Sequence, residues 1–293
     1  LRTYIMKQFL TLNDLQNFDA QVALAKEIKA NPYQFEELGK RKTLGLLFFN
    51  PSLRTRLSTQ KAGRLLGMDV MVMNFSNEAW AIEYEDKTIM EGLRSEHVKE
   101  AAQVVSQYCD VVGIRAFATL TDKEKDESEQ VLQKFIQYAS VPILNMESAT
   151  AHPLQALADA LTLTELSLPK KPKVVLTWAP HPKALPHAVG NSFARMMEHQ
   201  DADFVIANPE GYDLDPRITK DIPVVHNQAE ALKGADVVYA KNWSSYDSYG
   251  QILRTDNEWM LTPEKMDQTN NAAFMHCLPI RRNVVVSDGV LDS

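Results

Sequence analysis

Three short segments of the sequence combine residue types that can act together on a small polar molecule. The first, Phe48-Phe49-Asn50-Pro51-Ser52-Leu53-Arg54-Thr55-Arg56, joins an apolar run to an amphipathic stretch. Read as a strand entering a helix, it puts its turn at the carboxyl end of a strand, where ligands of parallel sheets collect. A helix start offers free N–H groups, Ser52 and Thr55 offer hydroxyls, and Arg54 and Arg56 offer forked cations. That set suits an oxyanion or a phosphate, although a capped helix start beside two solvated arginines accounts for the same residues. The second segment, His152-Pro153-Leu154-Gln155, follows a strand-like run ending at Met146. His152 and Gln155 share one side of a first helical turn and could polarise one carbonyl, whereas a lone histidine more often has a structural role. The third is Phe274-Met275-His276-Cys277-Leu278-Pro279-Ile280-Arg281-Arg282. Cys277 invites a nucleophilic reading, but no base or orienting group is identifiable for it, and a cysteine at a buried strand end is commonly inert.

Other chemistries lose their support by counting. The closest pair among the eleven glycines is Gly63 and Gly67, so GxGxxG, GxSxG and Walker A loops are all absent. None of the seven histidines forms an HxxxH or HExxH pair, and no metal or other cofactor is expected. Cys109 and Cys277 are too few and too far apart for a disulfide framework. With 31 basic and 38 acidic residues the net charge is -7, so no affinity for nucleic acid or an anionic membrane is expected, and any anion must meet a local cluster. No apolar run approaches the roughly 20 residues of a spanning helix, and a cytoplasmic location is expected. Met6, after Leu-Arg-Thr-Tyr-Ile, reads as a natural start, and the end at Ser293 suggests a further C-terminal segment.

These residues need elements to hold them. At 293 residues and 45% hydrophobic composition, two globular domains are expected. Runs rich in β-branched residues alternate with amphipathic stretches, the rhythm of parallel sheets covered by helices on both faces. The first half predicts strands at Thr43–Phe49, Asp69–Asn74, Asp110–Ile114 and Pro142–Met146, with helices at Leu12–Ala30, Arg56–Leu66, His97–Gln107 and Glu127–Tyr138. The second predicts strands at Lys173–Trp178, Asp203–Ala207, Val237–Lys241, Phe274–Leu278 and Asn283–Ser287, and a helix at Leu185–Glu198. Domains of residues 1–150 and 151–293 are expected, with a connecting helix at 151–166 before the breaker run Leu168-Pro169-Lys170-Lys171-Pro172.

The three segments together resemble the aspartate and ornithine carbamoyltransferases. Ser52-Leu53-Arg54-Thr55-Arg56 is similar to their phosphate motif, His152-Pro153-Leu154-Gln155 to their HPxQ motif, and His276-Cys277-Leu278-Pro279 to the HCLP of the ornithine branch. Where that branch holds a free α-amino group with an aspartate and a Ser-Met-Gly loop, this chain has Tyr239-Ala240-Lys241-Asn242-Trp243. A lysine there would repel an ammonium, so the pattern resembles the branch acting on N-acylated ornithine; Glu78-Ala79-Trp80 and Trp178-Ala179-Pro180-His181-Pro182 resemble it too.

The resemblance implies two doubly wound parallel-sheet domains and transfer of a carbamoyl group from carbamoyl phosphate to an acylornithine δ-amine. Ser52, Leu53, Arg54 and Thr55 would hold the phosphate. Thr55, Arg115 and His152 would donate to the carbonyl oxygen, while Gln155 and the backbone around Cys277 and Leu278 would hold the carbamoyl NH₂. Glu147 and Lys241 would position the amino acid, with Trp80 reaching in from a neighbouring subunit of a homotrimer. In the loop Met90-Glu91-Gly92-Leu93-Arg94-Ser95-Glu96-His97, Ser95 resembles the position where acetylornithine enzymes carry a glutamate that succinylornithine enzymes lack. With His181 and Lys183 as further donors, a succinyl acceptor is expected ahead of an acetyl one. A non-catalytic subunit and a dinucleotide oxidoreductase are the alternatives of other classes.

Overall fold

The computed structural model describes residues 7–293, so the reading of Met6 as a start lies outside the described residues. The chain divides into two compact units. One runs to Ala118 and resumes over Glu124–Leu154; the other comprises Thr119–Lys123 and Gln155–Ser293.

The first unit is built on strands β1 (Gln8–Phe9), β2 (Thr43–Phe48), β3 (Asp69–Asn74), β4 (Ile82–Glu83), β5 (Glu96–His97), β6 (Val111–Arg115) and β7 (Ile143–Glu147). Five form one parallel sheet in the order β1-β7-β6-β2-β3, and β4 pairs separately with β5. The central strand β2 is apolar nearly throughout because both faces are covered. Its Leu46 is wholly buried, and Leu46→Ala would cost ~2–5 kcal/mol through the cavity it leaves. From β2 the chain lays β3 on one side and β6 on the other. The crevice outside the carboxyl ends of β2 and β6 is thus the topological switch point, where an open α/β sheet takes ligands.

The second unit repeats this arrangement with β8 (Lys173–Trp178), β9 (Asp203–Ala207), β10 (Val224–Val225), β11 (Val237–Lys241) and β12 (Ala273–Met275), in the order β10-β9-β8-β11-β12. Its switch point lies beyond Trp178 of β8 and Lys241 of β11. Trp178 and Trp243 form part of the core: the indole of Trp178 donates to Trp243 O at 2.8 Å and that of Trp243 to Tyr212 O at 2.6 Å.

Several expectations from the sequence are corrected. The helix expected over Leu12–Ala30 is a 3₁₀ turn at Leu12–Asp14 and a helix at Phe18–Ala30, because Asn17 caps the latter by accepting the Ala20 N–H. The helix expected from Glu127 to Tyr138 is two, Lys123–Glu127 and Gln130–Tyr138, separated by Glu129 in the left-handed region at φ 52°. Asn283–Ser287 is no strand: Arg282 and Leu261 make isolated bridges to Val286, and the apolar run there serves burial of Val285 and Val286. β1, β4, β5 and β10 have two residues each, too few for alternation to show. Among the described residues no helix is long and apolar enough to cross a membrane.

Candidate active site

At the first switch point the helix Arg54–Leu65 begins directly after the turn that leaves β2. Leu53 occupies its N-cap with no side-chain cap, so the first-turn N–H groups are not consumed by a local hydroxyl. Arg54 is exposed and Arg56 half-buried, and neither is ion-paired to a carboxylate among the described residues. Ser52 and Thr55 are half-buried beside them. Free N–H dipoles, two hydroxyls and two unpaired guanidinium groups make an electropositive cluster suited to a phosphate dianion.

Arg115 ends β6 and is buried. Its Nη1 donates to the carbonyls of Asn50 at 3.2 Å and Pro51 at 2.6 Å, tying it to the turn before Ser52. Nε and Nη2 donate to Glu147 Oε2 at 3.3 and 3.1 Å. Burial pulls the guanidinium pKa below its ordinary value, and Glu147 opposes that pull. Four of five N–H donors are thereby engaged, leaving one of Nη2 for a ligand. His152 precedes the helix Pro153–Glu165, and its Nε2 lies 3.6 Å from the same Oε2 of Glu147. Arg115, Glu147 and His152 therefore stand together at the ends of β6 and β7, the guanidinium hydrogen-bonded to the carboxylate and the imidazole close to it.

Trp80 and Ser95 are fifteen positions apart yet adjacent, because β4 and β5 pair in the register Ile82↔Glu96. Ser95 N donates to Ala81 O at 3.1 Å, and the indole of Trp80, 58% exposed, donates to Glu96 Oε2 at 2.7 Å. Glu96 is thus bound to the indole, whereas Ser95 is exposed and neutral beside it.

At the second switch point His181 follows β8. Arg281 Nε donates to His181 Nε2 at 3.0 Å, and Nδ1 lies 2.8 Å from Lys183 O and 3.1 Å from Lys183 N. Burial, and then Arg281, Lys241 and Lys183, push the imidazole pKa down, leaving a neutral ring among three cations. Lys241 is buried and donates to Asn242 O at 3.1 Å. Arg281 was quoted in the third sequence segment without a task; the adjacency of Arg281 and His181 spans one hundred positions, which no local pattern encodes.

Gln155 Nε2 donates to buried Asp159 Oδ1 at 2.8 Å, which leaves the Gln155 carbonyl as an acceptor. Burial raises the Asp159 carboxyl from 3.8 to about 7, with Gln155 drawing it back. Tyr239 is wholly buried and close enough to feel both Asp159 and Cys277, which together with burial drive its phenol upward. Even so, the Tyr239 hydroxyl and Asp159 Oδ2 find no hydrogen-bond partner among the described residues, so Gln155 makes the one well-formed bond to this carboxyl. Cys277 is half-buried and in no disulfide. Leu278 takes φ 54°, precedes a cis Pro279 and donates its N–H to His276 Nδ1 at 2.8 Å. Asp159 was missed from sequence, although it stands one helical turn from Gln155. Among the described residues no group of three or more His, Cys, Asp or Glu could hold a metal ion.

Comparison with known proteins identifies the family. The carbamoyl-P binding domain of the aspartate/ornithine carbamoyltransferases matches residues 7–165, and their Asp/Orn binding domain matches residues 187–293. The N-succinylornithine carbamoyltransferase of Bacteroides thetaiotaomicron is 49% identical over 98% of this chain and 91% of its own length. The N-acetylornithine carbamoyltransferase of Xanthomonas campestris pv. campestris is 38% identical over 98% of this chain and 91% of its own. A crystal structure of N-acetyl-L-ornithine transcarbamylase in complex with carbamyl phosphate and N-succinyl-L-norvaline superposes with a TM-score of 0.89 at 37% identity, covering 98% of this chain and 92% of that one. That crystallised protein is a variant in which serine replaces a glutamate.

Proposed function

Since this chain belongs to the aspartate/ornithine carbamoyltransferase family and is a carbamoyltransferase, we propose that it transfers the carbamoyl group of carbamoyl phosphate to the δ-amine of N-succinyl-L-ornithine, releasing N-succinyl-L-citrulline and phosphate. The phosphate rests on the N–H groups, hydroxyls and guanidinium around Ser52, Leu53, Arg54 and Thr55. The neutral δ-amine attacks the carbamoyl carbon, and the carbonyl oxygen becomes an oxyanion that Thr55, Arg115 and His152 stabilise. Glu147 holds Arg115 and His152 to that task, an addition to its expected role toward the amino acid. Collapse breaks the C–O bond to phosphate, which leaves with the amine's proton, so no protein base is required. Gln155 accepts from the carbamoyl NH₂, aided by backbone around Cys277 and Leu278.

The observation that carries the succinyl reading is the acceptor-side charge. A neutral His181 stands among Lys183, Lys241 and Arg281, a surplus suited to the two carboxylates of a succinylated amino acid and excessive for the one of an acetylated amino acid. Ser95, neutral and next to Trp80, supports the same choice, and so does a relative that was crystallised with a succinylated ligand once serine replaced a glutamate. N-acetyl-L-ornithine is the second reading, because the 38% identical relative bears that name. We place the enzyme in the cytoplasm and in arginine biosynthesis, as a homotrimer in which the exposed Trp80 serves the neighbouring subunit. Purified protein with carbamoyl phosphate should form N-succinyl-L-citrulline from N-succinyl-L-ornithine and no citrulline from free L-ornithine; carbamoylation of free ornithine alone would overturn the assignment. Light scattering should give three times the chain mass.

A further inference from the structure

Glu129 has no place in the chemistry described above, yet its setting is unusual. It lies between two helices at φ 52° and ψ 39°, a left-handed conformation that glycine or asparagine adopts more readily. Its carboxylate is turned onto the segment that joins Glu147 of β7 to His152. Oε1 accepts from Ser148 Oγ at 2.7 Å, Thr150 N at 2.8 Å and Thr150 Oγ1 at 2.5 Å, and Oε2 accepts from Ala149 N at 3.3 Å. Four donors on three consecutive residues therefore converge on one side chain. From the other side buried Asn145 Nδ2 donates to Ser148 Oγ at 3.0 Å and Ala151 O at 3.3 Å, and Ser148 N closes the turn on Ala151 O at 2.8 Å. Burial raises the Glu129 carboxyl while the Ser148 and Thr150 hydroxyls and the backbone N–H groups lower it, as expected of a carboxylate held for its acceptor capacity.

From this geometry we infer that Glu129 is a positioning residue of the carbamoyl transfer: it clamps residues 148–150 so that Glu147 and His152, at the two ends of that segment, keep the 3.6 Å approach that aims the imidazole. A misplacement of 1 Å in such a group is costly, because an oxyanion donor works through preorganisation. The side chain is specific for the work, since an amide in its place keeps one oxygen for the Ser148 and Thr150 donors but turns its NH₂ onto the Ala149 N–H.

The inference rests on the reading of His152 as a donor to the carbamoyl oxygen, and a double-mutant cycle on the full chain separates the two. His152→Ala should lower kcat by ~10²–10³, the usual loss for one such donor. Glu129→Gln should lower kcat about tenfold with KM for carbamoyl phosphate within about twofold, the mark of an interaction made in the transition state. If Glu129 acts through His152, the double variant should be no slower than His152→Ala alone. The ¹⁵N shifts of the His152 ring should also move in Glu129→Gln, which general loss of stability in a folded protein would not cause. Thr150→Val, which withdraws one donor from the opposite side, serves as the second variant if Glu129→Gln fails to fold, with about a threefold fall in kcat. Additive losses, or kcat within twofold of wild type in either variant while His152→Ala is impaired, would overturn the positioning role and leave the function standing. A fully active His152→Ala would remove both.

Discussion

The two switch points, in the function proposed for them, would meet their ligands in different ways. In the first unit the proposed phosphate end is made of neighbours in sequence: residues 50–56 supply a turn, a helix start, hydroxyls and two guanidinium groups, and Arg115 ties itself to the same turn through Asn50 and Pro51. In the second unit the proposed acceptor end is gathered from afar, with His181 after β8, Lys241 at the end of β11 and Arg281 beyond β12. A phosphate is one fixed shape and can be held by a contiguous motif, whereas acceptor recognition by separate side chains can change one residue at a time. The phosphate end should therefore fail outright when broken, and the acceptor end should shift in preference.

The largest expected effect lies at the phosphate end. Arg54→Ala removes an exposed forked cation and no core volume, so the fold should survive while carbamoyl phosphate affinity falls by ~10²–10⁴, two charge-assisted bonds at ~1.5–3 kcal/mol each. Isothermal calorimetry decides this, and unchanged affinity would remove the cradle assignment.

Next comes the buried carboxyl behind Gln155. The folded chain holds the Asp159 proton up to about pH 7, while the unfolded chain releases it near its ordinary 3.8. The folded state thus binds more protons between those values, and stability falls as pH rises from about 4 to about 7. The full difference corresponds to roughly 4 kcal/mol, an upper bound for one group. Asp159→Asn should flatten the fall in Tm across that window, and an unchanged slope would show that the carboxyl titrates normally.

At the acceptor end the effect should be a change of preference. Two carboxylates about 4 Å apart at an effective dielectric near 20 oppose each other by roughly 4 kcal/mol before screening, and a third of that is close to tenfold. Ser95→Glu should shift kcat/KM about tenfold away from the succinyl acceptor and spare the acetyl one. An unmoved ratio would hand acyl recognition to His181 and Lys183. The smallest effect is expected at Cys277, where Cys277→Ser should retain at least about a third of the activity. A trapped carbamoyl thioester on Cys277 would contradict its role as a backbone contributor.

The same contrast explains what could be read from sequence. Strands β3, β8, β9 and β11 were legible to the residue because four or five consecutive apolar or β-branched residues follow a polar one. The cradle could be proposed from sequence because its residues are contiguous, and His152 with Gln155 because they stand three positions apart at a helix start. Glu129 was hidden inside an apparently continuous helix, since a left-handed residue leaves no mark on hydrophobic periodicity. The contacts of Trp80 with Glu96 and of Arg281 with His181 depend on strand register and loop path, which separate segments settle only when they meet.

The central claim is that acceptor choice is made by charge. The most direct test is the ratio of kcat/KM for N-succinyl-L-ornithine to that for N-acetyl-L-ornithine in the wild-type protein, measured at low and at high ionic strength. The account predicts a ratio well above one that falls as salt screens Lys183, Lys241 and Arg281. A ratio below one, at any ionic strength, would contradict it.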